Sequence, residues 1–383
     1  MQPTQVKNFT PDEVVLAVAL ELSKASWKIA LNDGKRDKPA IHTVTDEEAS
    51  TRLAHAAAVI EEVKRKWKLE AGVRTVVMYE AGQDGFWVQR GLAKLGYEAL
   101  VIDPASIPVE RQARRAKTDR LDAIKLVTCL RGWLRGERDR MHVIQVPSPE
   151  AEAQRQLVRD RGELQKECGQ HRDRMRKLLC TVGCKDPVEG DFAERLAHGA
   201  IRCYDGTALA VELQERLSRE CERLALAQQQ LATLEKRLVK QLPEPAQERI
   251  ATLSKLKGVG EVGAMRLVLE LFWRDFANRR QVGSCVGLVP QPYDSGESRV
   301  DQGISKQGNR RVRALLIEMA WMWLRYQPES GLARWFAQRT QGSGTNKRGK
   351  RIAIVAVARK LAIALWRYLK EGVIPEGAAM KAA

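Results

Sequence analysis

Four carboxylates and one serine hold the chemistry this sequence could do. Glu21 closes an apolar run, EVVLAVALEL at 13–22, and Glu80 closes the apolar core of VRTVVMYEA at 73–81. Asp119 and Asp122 stand three apart in Lys117-Thr118-Asp119-Arg120-Leu121-Asp122-Ala123. That spacing puts both on one face of a helix. Carboxylates at neighbouring strand ends and on an adjacent helix can converge. Hard cations such as Mg2+ take oxygen ligands, and two such ions can clamp a phosphodiester. Taken singly, each acid reads as a solvated surface charge. Taken together they point to a metal site, the more so because Glu80 ends an apolar run, where a charge needs a reason.

Arg111, Arg114, Arg115, Lys117 and Arg120 place five cations within ten residues of sequence beside these acids. They can hold a nucleic-acid backbone next to the metal site, or neutralise the acids, or both. Ser295 belongs to a second group: Gly287-Leu288-Val289-Pro290, Asp294-Ser295-Gly296-Glu297 and Gly303-Ile304-Ser305-Lys306-Gln307-Gly308-Asn309. Glycine and proline at this density indicate loops, which often carry function. Asn309-Arg310-Arg311-Val312-Arg313 then opens a helix whose arginines suit phosphate capture, and Arg299 and Lys306 add cations nearby. A serine hydroxyl is a weak nucleophile until a base or metal activates it, and nothing in the local sequence supplies that base. On residue chemistry alone Ser295 reads as a turn serine.

The elements that must position these groups follow from periodicity. Residues 13–22, SWKIALND at 26–33 and AIHTVTD at 40–46 read as strands with short connections. Residues 47–68 carry Leu53, Ala57, Ile60 and Val63 at helical spacing. Then come a strand at 73–81, a helix at 84–95, a strand at 97–104 and a helix from Thr118 to about Leu134. This order fits a mixed sheet covered by helices, the RNase H-like arrangement.

Residues 146–245 differ, being rich in Glu, Gln, Arg and Leu. Leu157, Leu164, Cys168, His171, Met175 and Leu178 fall at a/d spacing, and Leu217, Leu224, Leu231 and Leu238 repeat every seven residues, with Leu213 and Leu234 between. Two such helices predict a coiled coil, folded back on itself or shared between subunits. The break near 183–206 suits a tip or an insertion. After Leu242-Pro243-Glu244-Pro245, LSKLKGVGEVGAMRLVLEL at 253–271 has the shape of a helix-hairpin-helix. Its turn, Lys257 with Gly258 and Gly260, can present backbone N–H groups to a phosphate or can be a plain helical hairpin. The expected class is α/β plus all-α. Residues 1–145 form the first domain, 146–245 the coiled-coil region and 246–383 a helical C-terminal domain that includes the serine loop.

Lys and Arg number 65 against 48 Asp and Glu in 383 residues, a net charge of +17. A surplus of that size implies a polyanionic partner, nucleic acid first. The seven cysteines are odd in number and lack metal spacing (Cys180 and Cys184 have no second pair), and the five histidines form no cluster. A reducing, cytoplasmic setting without disulfides or zinc is expected. Met1 to Phe9 is polar and reads as no signal peptide. Arg359 and Lys360 interrupt the late apolar stretch at 352–366, so no membrane span is expected.

Together these motifs resemble the DEDD transposases of bacterial insertion sequences, the one-ten class related to Piv-type invertases, over nearly the whole chain. The resemblance rests on Ala19-Leu20-Glu21-Leu22-Ser23-Lys24, Tyr79-Glu80-Ala81-Gly82 and the Lys117–Ala123 motif. In the C-terminal half it rests on Leu256-Lys257-Gly258-Val259-Gly260, Gly287-Leu288-Val289-Pro290, Ser295-Gly296, Ile304–Asn309 and Ala358-Arg359-Lys360-Leu361. It implies a RuvC-like N-terminal domain whose tetrad, Glu21, Glu80, Asp119 and Asp122, binds Mg2+. It implies that Ser295 attacks a phosphodiester to form a covalent protein–DNA intermediate, in a composite site shared by two subunits. It also implies a bridge RNA that pairs with donor and target double-stranded DNA, and a dimer or tetramer. Glu21 stands where the family usually has Asp; it is one methylene longer and offers the same oxygens. Two rivals use less of the sequence: a Holliday-junction resolvase or RNase H-like nuclease that needs only metal and water, and a non-catalytic nucleic-acid scaffold.

Overall fold

The computed structural model describes residues 13–107, 118–238, 241–295, 298–341 and 347–382. The chain divides into two compact units, 1–148 and 149–383. The first unit is built on a five-stranded sheet of order β3-β2-β1-β4-β5. Its strands are β1 (Val15–Leu22), β2 (Trp27–Asn32), β3 (Ala40–Val44), β4 (Arg74–Glu80) and β5 (Glu98–Ile102). The first three pair antiparallel as a meander; β4 lies parallel to β1 and β5 parallel to β4. Central β1 is covered on both faces, which is why it reads as an unbroken apolar run. Leu16, Val18 and Leu20 pack under α1 (Ala49–Lys66) and α2 (Trp87–Lys94), while Val15, Ala17 and Ala19 pack under α3 (Asp119–Leu134). The predicted order of strands and helices is the observed one, and this mixed sheet is compatible with the RNase H-like arrangement. The outer edge of β5 is covered by the segment before the unit's end: Asp103 N–H donates to His142 at 2.9 Å and Ile144 N–H to Val101 at 2.7 Å. Pairing of this kind removes an exposed strand edge.

The second unit opens with two long helices, α4 (Pro149–Thr181) and α6 (Val211–Leu238), separated by α5 (Phe192–Ala197). They run antiparallel within the chain, as His171–Glu220 and Arg161–Glu235 contacts require. At the far end Met175, Leu179, Phe192, Leu196, Ile201 and Leu217 close a small separate core under the α5 segment. At the near end Val158 and Leu238 join the main core of the C-terminal helices. These are α7 (Glu244–Ser254), α8 (Glu261–Glu270), α9 (Arg279–Cys285), α10 (Arg310–Tyr326), α11 (Gly331–Gln341) and α12 (Lys347–Glu371). Leu253, Leu267, Val282, Leu316, Trp323, Val357, Leu361 and Leu365 are wholly buried among them. No helix among the described residues is long and apolar enough to cross a membrane.

The 287–309 stretch, expected as loops, instead holds a two-stranded antiparallel sheet of β6 (Pro290–Ser295) and β7 (Ser298–Ile304). Prolines fit here because each strand of a two-stranded ribbon has a free edge.

In mid-hairpin, buried Glu220 accepts from Arg174 Nε at 3.0 Å and from Arg223 at 3.2 Å, and pairs with His171 Nδ1 at 2.6 Å. Burial pushes the Glu220 carboxyl up; the hydrogen bonds from His171 and Arg174 outweigh it and hold the carboxyl below its usual range. A depressed carboxylate stabilises the fold above the ordinary glutamate range, and that contribution is lost as pH falls through the lower folded value. Glu220→Ala leaves His171 and Arg174 without their acceptor and is expected to cost about 1–3 kcal/mol. Thermal melts from neutral to acidic pH should show the deficit of Glu220→Ala shrinking on acidification.

Candidate active site

Strand alternation decides where the first two acids point. The parallel register pairs Leu20 with Tyr79, so Glu21 and Glu80 come next at the same level on adjacent strands. On β1, Ala17 and Ala19 face α3; on β4, Val76 and Met78 do. Successive side chains alternate faces, so Glu21 and Glu80 continue the α3 side of the sheet. Both are half-buried.

The direction of α3 decides the rest. Arg131, in its last turn, donates Nη1 to the Val15 carbonyl at the start of β1 at 3.0 Å. The helix therefore runs antiparallel to β1, and its first turn lies toward the end that carries Glu21 and Glu80. Thr118 caps that turn, accepting from Leu121 N–H at 3.3 Å. The sheet-facing residues are Ala123, Leu126, Val127 and Leu130. Asp119 and Asp122 each sit four residues before a member of that row, so both extend the sheet-facing stripe past the edge of the core. Asp122 is partly covered and lies 3.6 Å from Lys125 Nζ, and Asp119 is exposed. All four acids thus belong to one face and one end of the unit. Their side chains are not drawn together, because no group of three or more His, Cys, Asp or Glu among the described residues is placed to hold a metal ion. The donor set, four carboxylates and no sulfur or imidazole, fits a hard divalent cation. Arg120 is exposed on the first turn of α3, while Arg111, Arg114, Arg115 and Lys117 lie outside the described residues.

In the second unit, Ser295 ends β6 and pairs across the ribbon with Ser298. It therefore stands at the turn end of the hairpin. The base of the hairpin is closed by close backbone approaches. Gly308 has φ +77°, and a Cβ there would come within 2.2 Å of the Cys285 carbonyl oxygen. A Cβ on Gly287 would meet the Gln307 carbonyl oxygen at 1.9 Å. Asn309 caps α10, accepting from Arg311 and Val312 N–H, and its amide donates to buried Glu270 on α8 at 2.9 Å. Arg313 donates to the Val286 and Gln307 carbonyls at 3.1 and 3.2 Å. Burial and neighbouring Arg310 push its pKa down. Arg313 thus braces the hairpin base, and of the arginines opening α10, Arg310 and Arg311 are the exposed ones. Lys306 is exposed with φ +56°.

The helix-hairpin-helix shape is present as α7, a turn and α8, with Gly258 at φ +79° and Gly260 as the N-cap of α8. The turn is partly held by the protein itself. Lys257 N–H donates to Ala379, while buried Gln327 donates to the carbonyls of Lys257 at 2.9 Å and Ala379 at 2.8 Å. Sequence reading missed Glu270, Gln327 and also Arg155. Arg155 is buried over Trp273 at 4.8 Å, with its pKa pushed down to about 10 by burial and by Arg159 and Arg274. Their partners are remote in sequence, so only the fold reveals them.

A family model described as the IS116/IS110/IS902 transposase family matches residues 250–334. A second, the DEDD model of the IS110 group described as a transposase, matches residues 40–183. A Sinorhizobium fredii protein provisionally named transposase y4rJ is 40% identical over 380 residues, 95% of this chain and 94% of the relative. The chain belongs to the IS116/IS110/IS902 family of transposases. The transposase for insertion sequence element IS1328 of Yersinia enterocolitica is 25% identical over 302 residues, 78% of this chain and 85% of that one. The transposase for IS1533 of Leptospira borgpetersenii is 26% identical over 277 residues, 70% and 76% of the two chains. Membership implies an enzyme that binds, cleaves and joins DNA, and the DEDD type agrees with dependence on a divalent metal. In this transposase Glu80, Asp119 and Asp122 fall within the matched N-terminal segment and Glu21 precedes it; Ser295 falls within the C-terminal one.

Gly308→Ala places a methyl group against the Cys285 carbonyl at a positive φ. It is expected to destabilise the second unit by about 1–3 kcal/mol or more. Chemical denaturation of the full chain measures it, and Gly190→Ala, at φ +61° with open space around it, is the control for strain alone.

Proposed function

We propose that this transposase excises and inserts an insertion sequence by nucleophilic attack of Ser295 on DNA phosphodiesters, assisted by divalent metal held by Glu21, Glu80, Asp119 and Asp122 of another subunit. The observation that carries the metal half is the shared end. Two strand-end glutamates continue the α3 face at one level, and the first turn of α3 brings two aspartates toward the same edge. These residues would hold divalent cations, and Mg2+ suits their hard oxygens. A bound pair of such ions would polarise the phosphodiester and steady the charge on the attacking and leaving oxygens.

The serine half is supported by position. Ser295 ends β6, whose residues 290–294 are exposed. In the reaction the Ser295 hydroxyl loses its proton and Oγ bonds to phosphorus. The bond from phosphorus to the leaving deoxyribose oxygen breaks, and that oxygen takes a proton. A hydroxyl of the joining strand then attacks the same phosphorus and releases Ser295, which recovers its proton. Lys117, Arg120 and the other cations of 111–120 would seat the phosphate backbone beside the acids. Arg299, Lys306, Arg310, Arg311, Lys257, Gly258 and Gly260 would do so in the second unit, with Arg313 holding the hairpin base behind them.

The family resemblance adds three further expectations to this reading. They are a RuvC-like identity for the first unit, assembly of two or four copies through the α4–α6 coiled coil, and a bridge RNA that pairs with donor and target DNA. Co-purification with one discrete noncoding RNA supports RNA guidance; random cellular RNA counts against it.

Incubation with element-end DNA and Mg2+ is expected to leave a covalent protein–DNA adduct, detectable after denaturation. Ser295→Ala should abolish the adduct, and an adduct that persists in that variant sinks the nucleophile assignment. Free cut ends without adduct in the unmutated protein would support hydrolysis by metal and water instead. Glu80→Gln and Asp119→Asn should each lower cleavage by about a hundredfold or more, the scale of losing a transition-state charge contact. Chelation should do the same to the unmutated protein.

A further inference from the structure

The exposed face of α10 carries a group of side chains that neither the acids nor the serine account for. Trp321, Met322 and Tyr326 are 46%, 43% and 47% exposed, whereas Trp323 between them is wholly buried and donates Nε1 to Ser330 at 3.0 Å. Burial of Trp323 fixes which side of the helix faces outward. At about 100° per residue, Arg325 falls on the helical wheel between Trp321 and Tyr326. It is exposed, and its guanidinium lies 5.6 Å from the Tyr326 ring centre. Phe336 of α11 meets Trp321 edge-on at 5.9 Å and steadies it.

The surroundings are basic. The α7–α8 turn abuts this face, with Gly258 directed at the Met322 carbonyl and the Tyr326 Cβ. Lys255 and Lys257 are exposed on that turn. Lys381 also sits there, through its bond to the Val259 carbonyl. Glu318 on α10, exposed Glu329 just after it and Glu261 on α8 are the nearby acids in sequence, against Arg325, Lys255, Lys257 and Lys381. Exposed flat aromatics interleaved with cations suit a ligand that offers both stackable rings and negative charge. An apolar protein partner would not need the cations, and duplex DNA keeps its rings inside the stack.

We infer that the Trp321–Tyr326 face of α10 is a stacking platform for unpaired nucleotides of single-stranded DNA opened during strand exchange. The inference rests on the DNA-recombining reading of the family but not on Ser295 as nucleophile. Base–aromatic stacking is sequence-tolerant and is lost when the ring is removed.

The test uses the full chain and four probes of equal length: oligodeoxythymidine, oligouridine, duplex DNA and duplex RNA. Trp321→Ala and Tyr326→Ala should each weaken binding of a single strand about tenfold while leaving both duplexes within twofold. Trp321→Phe and Tyr326→Phe should restore most of the loss. The loss is expected on oligodeoxythymidine, and a loss confined to oligouridine overturns the proposal. Equal losses on single strands and duplexes, or no loss on either single strand, overturn the proposal. So does a change in oligomeric state by light scattering, which would make this face a protein interface. Trp321 and Tyr326 are each about half-covered, so the alanine variants are expected to melt slightly lower, and the phenylalanine variants, which keep a ring in place, separate lost stacking from a fold defect. Covalent adduct formation on element-end duplex, measured in the same variants, reports on Ser295 independently: its absence in the unmutated protein would fail that assignment and leave the stacking result standing.

Discussion

The docking of α3 across β1 and β4 is the packing constraint on which the N-terminal unit depends. Ala17 and Ala19 on β1 are small, which lets the helix come close, and Leu126, Val127 and Leu130 fill the space above them. Because side chains alternate along a strand, the same contact decides which acids share its face. A shift of one residue in the β1–β4 register would send Glu80 to the opposite side of the sheet from Glu21. The core therefore does more than hold the unit together; it selects which carboxylates can act together. Arg131 reinforces the choice from the other end by tying the last turn of α3 to the first residue of β1.

Much of this was legible in the chain before any coordinates. The strands and helices of residues 13–134 follow from apolar runs and helical spacing, since each element buries a face that sets its period. The α4–α6 seam was legible in part. Leu164, Cys168, His171 and Met175 are buried as the spacing requires, but Leu157 and Leu178 are only half-buried and their neighbours Val158 and Leu179 take the inner positions. The β6–β7 ribbon was hidden because Pro290, Pro292 and Gly296 are loop signals in any local reading, and a ribbon with free edges tolerates them. Clasps such as Gln327 on Lys257 and Ala379 join residues far apart in sequence. No local pattern announces such contacts.

Several residues that look made for phosphate are spent inside the protein. Asn309 caps α10 and reaches Glu270; Gly308 is needed for close approach to Cys285; Arg313 holds two backbone carbonyls. The Ile304–Asn309 motif is therefore first a clasp that fixes the root of the Ser295 hairpin. If Ser295 acts as proposed, this clasp bears on the chemistry, because a group carried on a ribbon is only as well placed as the ribbon's base. The cations left outward are Lys306, Arg310 and Arg311, the last 3.5 Å from Glu163.

In the proposed acid set Glu21 stands where the resemblance leads one to expect Asp, and its neighbour on β4 bears on that exchange. It stands level with Glu80 on an adjacent parallel strand, about 4.8 Å away by ordinary strand spacing. Two side chains of equal length then carry their carboxylates to the same height beyond the sheet, whereas an aspartate would hold its oxygens lower by about one carbon–carbon bond, ~1.5 Å. In the proposed site the pair would hold the metal together with Asp119 and Asp122 of the first turn of α3. Like charges at that spacing repel, and in the proposed site a divalent cation would offset that repulsion.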